Sequence, residues 1–444
     1  LPFTEEQIKT IAPNDNAFSA GKKLSRGHWE NTGKSNRGMW GSIKGSGKKP
    51  YMTQIDLGSI AYKCSCPSRQ FPCKHALGLL LAESANLVDF SNATEPDWVL
   101  EWLDKRTEKV TPKAPKKELT EDEKEKAEKS KSRTAANRLE GVLAGVAELE
   151  LWLKDLLRMG LLELPNKPFR EFAQVAKRMV DAKANGLANS VNALGNLNYL
   201  NPSWQDEAMA IIAKLNLLIQ ALKAIDKQTE DWQITLKNLA GYSQSSKELL
   251  ANEDAITVTD NWLVVGQQVK ENDDITIQRN WLVGIKTNKR ALILNFATKF
   301  SPLEISVVPG SIIAAELAFF PAVLPNRAII KSNSELQKGL EYTPEFVETL
   351  QQAHQLKVSS LKLDPWANDH LVLLKNSRLI CMDEAWYVLD NTNAVAPVIS
   401  EFSLDKCLKW LAITGNDKVD MACVIRDKEI LPLGVFNNLN YTII

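Results

Sequence analysis

From about Thr134 the apolar positions fall at spacings of three and four: Leu139, Val142, Leu143, Val146, Leu149, Leu153, Leu156 and Leu157. That spacing lays one apolar stripe along a helix. Gly160 and Pro165 are placed to end it. Residues 169–182, 206–227 and 231–252 repeat the pattern, so 134–252 reads as a helical bundle. At Ile256 the period changes to two. Residues 256–258, 262–265, 275–277, 281–283 and 291–294 are β-prone runs broken by Asn, Asp and Gly, the pattern of strands and turns. Asn261-Trp262-Leu263-Val264 returns nineteen residues later as Asn280-Trp281-Leu282-Val283. Two copies so close predict paired strands and not a repeat array. Farther on, strand-like runs (371–374, 386–389, 422–425) mix with helical ones (344–355, 404–414), so 256–444 reads as a mixed α+β region.

Residues 1–104 read as one small hairpin-and-helix module. A strand is predicted over 39–44, followed by a turn at Gly45-Ser46-Gly47. Over 51–57, Tyr51, Thr53, Ile55 and Leu57 share one face of a strand, with Gln54 and Asp56 on the other. Gly58-Ser59 turns the chain into a returning strand at 61–64, and helices are predicted over 76–83 and 97–103. Residues 105–133 carry two prolines, dense mixed charge and almost no apolar side chains. They cannot bury enough surface to offset their ordering entropy and read as a charged linker. Within it, Glu and Lys at i,i+4 spacing favour a solvated helix over 119–132. The expected architecture is therefore α+β and multidomain: module 1–104, linker 105–133, bundle 134–252 and α+β region 256–444.

Composition adds little to this picture: 44 % hydrophobic and 24 % charged residues are ordinary for a globular protein. No run of about 18 apolar residues exists, so no membrane span is expected. The opening LPFTEEQIKT lacks a basic-then-apolar signal pattern, and a cytoplasmic location is the expectation. Charge is more informative. Lys+Arg and Asp+Glu are both 54, but from Lys22 to His75 eleven bases stand against two acids, a local excess of +9. Such asymmetry speaks to partners and not to fold.

The cysteines carry the chemistry. Three of the six crowd into ten residues with a histidine, in the pattern Cys64-x-Cys66-(x6)-Cys73-x-His75. Zinc takes four such ligands in a tetrahedron. On a strand, Cys64 and Cys66 point to one side. Six residues suffice to reverse the chain and deliver the second pair, and Pro72 suits the first turn of a helix. In a regular helix Cys73 and His75 would lie about 200° apart, so they are expected to straddle a loop-to-helix junction. Four protein ligands leave no open coordination position, which marks a structural zinc and not a catalytic one. Chance clustering and a Cys64/Cys66 redox pair are the alternatives, and a redox pair leaves His75 unexplained. Cys381, Cys407 and Cys423 are scattered and read as small buried hydrophobes.

The run YKCSCPSRQFPCKHALGLLL resembles a SWIM zinc finger, whose pattern is C-x-C-x(n)-C-x-H. The upstream WENTGKSNRGMWGSIKGSGKKPYMTQIDL and the later RNWLVGIKTNKRALILNFA and LPNRAII are similar to stretches of bacterial SWIM-finger proteins. Those proteins resemble components encoded beside MoxR-type AAA+ ATPases and von Willebrand factor A proteins. The resemblance implies zinc binding, a role in binding DNA or protein partners, and no catalysis.

Two binding roles follow. The first is a protein-interaction scaffold in an ATPase-associated complex. The alternative is nucleic-acid (DNA) binding through the bases around the finger: Lys22, Lys23, Arg26, Lys34, Arg37, Lys44, Lys48, Lys49, Arg69 and Lys74. His28, Trp29, Trp40 and Tyr51 lie among them, and aromatics can stack on unpaired bases. No enzyme is expected. Gly45-Ser46-Gly47-Lys48-Lys49 fails the P-loop pattern and is followed by a strand. The four histidines (28, 75, 354, 370) form no H-E-x-x-H site, and Asp383-Glu384 and Asp369-His370 read as surface features.

Overall fold

Two short helices open the chain, α1 (Glu5–Ile11) and α2 (Asp15–Ser25). A capping box starts the first: Thr4 Oγ1 accepts from the Gln7 N–H and Gln7 Oε1 accepts from the Thr4 N–H. An antiparallel sheet follows in the order β1 (Trp29–Lys34), β2 (Gly38–Ile43), β3 (Tyr51–Asp56) and β4 (Ala61–Cys64). Helix α3 (Lys74–Ser84) covers one face, packing Leu77, Leu79 and Leu80 against Trp29, Met39 and Ile55. Helix α4 (Asp97–Val110) covers the other with Val99 and Leu103 against Trp40. The structure, a computed structural model, describes residues 3–45, 49–57, 61–68, 72–90, 94–110, 121–242, 244–272, 275–298, 307–333, 345–437 and 440–444.

The bundle holds α5 (Glu121–Met159), α6 (Phe169–Asp181), α7 (Asn185–Gly195), α8 (Trp204–Lys223) and α9 (Glu230–Ala240), whereas the short α10 (Ser246–Ala251), expected within it, packs Leu249 against Ala318 and Phe320. The stripe expected from Leu139 onward is its core: Val142, Val146, Leu149, Leu153 and Leu156 are all buried there. The single helix expected over 231–252 is two. Gly241, at φ +114°, ends α9 in the left-handed conformation. Ser245 then starts α10 with a second capping box to Glu248.

Next comes a closed barrel of β5 (Thr257–Asn272), β6 (Ile275–Gly284), β7 (Arg290–Thr298), β8 (Ile312–Phe319) and β9 (Arg327–Asn333), in the order β5-β6-β7-β9-β8. The repeated Asn-Trp-Leu-Val runs lie on neighbouring antiparallel strands, as expected, with Trp262 opposite Gly284 and Gly266 opposite Trp281. Helix α11 (Leu350–Leu363) leads into a six-stranded sheet of β10 (His370–Met382), β11 (Ala385–Leu389), β12 (Val395–Pro397), β13 (Val419–Arg426), β14 (Glu429–Asn437) and β15 (Asn440–Ile443), with α12 (Leu404–Thr414) packed on it. One side of the barrel joins this core through Leu263, Val265, Trp281 and Val283. At Gly266 the approach is tight, since a Cβ there would stand 2.7 Å from a Leu433 methyl.

The architecture is the expected α+β one, with a finger region, a bundle and a C-terminal sheet region. Several details differ from the sequence-based expectation. The helix expected over 97–103 continues to Val110, and α5 begins at Glu121, so residues 105–110 and 121–133 of the charged stretch are helical. Helices α1, α2 and α7 and strand β1 were not expected. Gln54, on the strand face opposite Thr53 and Ile55, is buried because α4 covers that face, and the Trp98 carbonyl accepts from Gln54 Nε2 at 3.5 Å. The turns expected at Ser46-Gly47 and Gly58-Ser59, and residue 344 of the expected helix, lie outside the described residues.

Candidate metal centre

Cys64 is the last residue of β4, and Cys66 follows two positions later. Cys73 takes the N-cap of α3 with an extended backbone (φ −74°, ψ 164°), and His75 lies in the helix's first turn. The pair therefore straddles the junction, as expected. Pro72 precedes the cap and is not in the first turn, because Cys73 occupies the cap position. The four ligand atoms all lie within 4.8 Å of one another. His75 turns Nδ1 toward the sulfurs, 3.8 Å from Cys64 Sγ and 4.0 Å from Cys73 Sγ.

The donor set fits zinc: three cysteine sulfurs and an imidazole nitrogen converge on one point, four ligands among the described residues. Cys73 and His75 are buried, and Cys64 and Cys66 are half-buried. The hydrogen bond between Cys64 and Cys73 dominates their protonation, lowering the Cys64 thiol and raising that of Cys73. Burial raises the Cys66 thiol. A bound divalent cation requires all three as thiolates, so loading the site releases protons.

Neighbouring groups orient the ligands. Backbone N–H groups of Cys66 and Ser68 point at the sulfurs of Cys64 and Cys66. The Ala76 N–H faces Cys73 Sγ too loosely to count as a helix cap. Cys64 also meets the Thr53 hydroxyl, with Oγ1 3.3 Å from Sγ. Thr53 is fully buried and is the register partner of Cys64 across β3 and β4. The Tyr51 ring lies against His75 with centroids 4.8 Å apart. Sequence reasoning put Tyr51 and Thr53 on one face but did not connect them with the metal. The strand register, read from Cys64 backward across the hairpin, is the signal that would have done so.

The basic residues divide into two sets. Lys22 pairs with Glu5, Lys34 with Glu83 at 2.5 Å, and Arg37 with Glu95 and with Asp104 at 2.9 Å. The Arg37 guanidinium holds the Glu95 carboxyl below its ordinary range. Lys23, Arg26, Lys44, Lys49, Lys63 and Lys74 are exposed and form no ion pair with a described residue. Lys48 and Arg69 lie outside the described residues. Over residues 1–104, twelve bases face eleven acids, so the local +9 becomes a net +1 for the module. Trp29 and Trp40 are 7 % and 3 % exposed, which makes them core residues and not stacking platforms. Among the described residues no helix is long and apolar enough to cross a membrane.

No curated protein and no solved structure matches the chain. Two family matches place the observations. Residues 137–240, from within α5 to the end of α9, match the SWIM-associated four-helix bundle domain. Residues 53–83 match the SWIM zinc finger and span all four ligands, so Cys64, Cys66, Cys73 and His75 form the metal centre of a SWIM-type finger holding one structural zinc ion.

Proposed function

We propose that this chain is a non-enzymatic interaction protein whose zinc finger fixes a docking module, and that it serves as a scaffold in an ATPase-associated complex. The near-neutral finger module carries this reading. Its basic stretch is cancelled by its own acids, Lys22, Lys34 and Arg37 are held in ion pairs, and Trp29 and Trp40 are buried. A surface of that kind favours a protein partner over the uniform phosphate lattice of a duplex. The closed ligand set supports a structural role for the metal. The sequence resemblance points to a MoxR-type AAA+ ATPase or a von Willebrand factor A protein as partner.

Affinity capture of each purified candidate by the zinc-loaded full chain is the direct test. Retention by the wild type and its loss in Cys73→Ser supports the scaffold reading. Absence of binding to either candidate, together with a salt-sensitive shift of duplex DNA, overturns it.

DNA binding is the second reading, and it rests on the six exposed bases without ion pairs to described residues, Lys74 beside Cys73 among them. It requires affinity for a duplex to fall steeply with salt and to drop in a Lys44→Glu, Lys49→Glu, Lys74→Glu variant.

A further inference from the structure

The barrel's strand order carries information that the finger does not. Counted along the chain, its strands close in the order first, second, third, fifth, fourth. All pairs are antiparallel except the third with the fifth, where Leu292 and Ile293 of β7 run parallel to Arg327 and Ala328 of β9. The first strand, β5, is sixteen residues long and pairs with β8 over its first half and β6 over its second. A register shift between Val264 and Gly266 lies where it changes partner. This is the topology of the OB-fold, whose second and third strands commonly present a ligand face for oligonucleotides or oligosaccharides. Topology alone assigns no ligand. The side chains on that face must do so.

On β6 and β7 the alternate residues Leu282, Ala291 and Ile293 fill the barrel. Their neighbours therefore point outward. The C-terminal sheet covers part of this outer face through Trp281 and Val283. The rest is open: Phe296 is 48 % exposed and Ile275 46 %, while Ile277, Arg279 and Leu294 are half-buried around them. Cross-strand register pairs Ile277 with Phe296 and Arg279 with Leu294, which sets an aromatic ring one row from a guanidinium. Arg327 on β9 lies 4.3 Å from the Phe320 ring centroid and 5.9 Å from that of Phe296. Neither arginine forms an ion pair with a described residue. Lys270 on the adjoining strand reaches Glu401 only at 3.9 Å.

We infer that this open face, centred on Phe296 between Arg279 and Arg327, binds single-stranded nucleic acid, with a base stacked on the Phe296 ring and flanking phosphates held by the two guanidiniums. A single strand fits the chemistry better than the alternatives. A neutral oligosaccharide offers no counter-charge to the two guanidiniums. A duplex hides the base faces that an exposed phenyl ring would stack on. The inference is independent of the scaffold reading and of the bases around the finger, so it can fail without either of them.

The test is fluorescence anisotropy of a labelled oligodeoxythymidine against the zinc-loaded full chain, at low and raised salt. Wild type is expected to bind with salt-dependent affinity. Phe296→Ala should weaken it at least about tenfold, the effect of one lost base stack, and Phe296→Tyr should restore it. Arg279→Gln should lower affinity and reduce the steepness of the salt dependence by about one phosphate's worth. Arg279 and Phe296 both border solvent, so an unfolded Phe296→Ala leaves Arg279→Gln as an independent variant. No binding by wild type, equal binding by wild type and both variants, or loss only on replacing Lys44, Lys49 and Lys74, overturns the inference.

Discussion

The Thr53 hydroxyl and the Cys64 sulfur face each other at 3.3 Å across the β3–β4 ladder, and metal binding decides which of them donates. A zinc-bound thiolate has no proton, so Thr53 Oγ1 is the donor in the loaded protein. That bond draws charge from the most heavily donated of three sulfurs around one dication. Thr53→Val keeps the shape and removes the donor. Its zinc affinity is expected to fall about 10- to 100-fold in a chelator competition. In the cobalt-substituted protein the sulfur-to-metal charge-transfer band should move to lower energy, while Thr53→Ser stays near wild type. A Thr53→Val protein with unchanged affinity and band would show the contact to be incidental.

Loss of a ligand should do more. Cys73→Ser or His75→Ala should bring metal content from about one zinc per chain to nearly none. In these variants, as in the chelated wild type, amide exchange should accelerate across β3, β4 and α3 and leave the bundle near wild type. Because thiolates and a neutral imidazole are required, zinc should also be released as pH falls. Elemental analysis alongside exchange mapping reads all of this, and full metal retention in both variants would exclude the four-ligand centre.

Helices α2 and α3 cross at two glycines. A Cβ on Gly21 would lie 2.7 Å from Leu77 Cβ and 3.3 Å from the Gly78 nitrogen. Alanine at 21 gains about 1 kcal/mol of helix propensity, yet overpacking costs about 1–3 kcal/mol. The clash involves a Cβ and backbone, which cannot swing aside, so the cost should win. Gly21→Ala is expected to lower the unfolding midpoint of the finger module, and a rise would mean that α2 can slide over α3.

His370 gives the C-terminal region a defined pH response. It is 8 % exposed, its Nε2 has no hydrogen-bond partner among the described residues, and burial lowers its pKa, opposed by the Ala367 backbone hydrogen bond and by Asp369 and Asp364, with Lys357 lowering it further. The unfolded chain therefore takes up this proton first as pH falls. Stability from this group is present above its ordinary pKa of about 6.5 and is lost on acidification through that value toward the lower folded one. Urea midpoints measured from about pH 7.5 down to about 5.5 should decline in the wild type. The decline should be shallower in His370→Gln, and an equal slope in both proteins would locate the titration elsewhere.

Local pattern alone determined much of this protein. The spacing of Cys64, Cys66, Cys73 and His75 specified the ligands, their count and the need for a junction at Cys73, because a strand end and a helix start have fixed geometry. The three-and-four spacing from Leu139 and the alternation from Ile256 marked bundle and strands, because each period puts apolar groups on one side. Tertiary structure decided what depends on distant partners. The acids that quench Lys34 and Arg37 stand 49, 58 and 67 residues away, so a basic stretch in one dimension became a nearly neutral module in three. Trp29 and Trp40 entered the core because α3 and α4 cover both faces of the sheet. Thr53 met the metal centre only through strand register. The barrel closed through the parallel pairing of β7 with β9, a pairing between strands separated by β8 that no local period encodes.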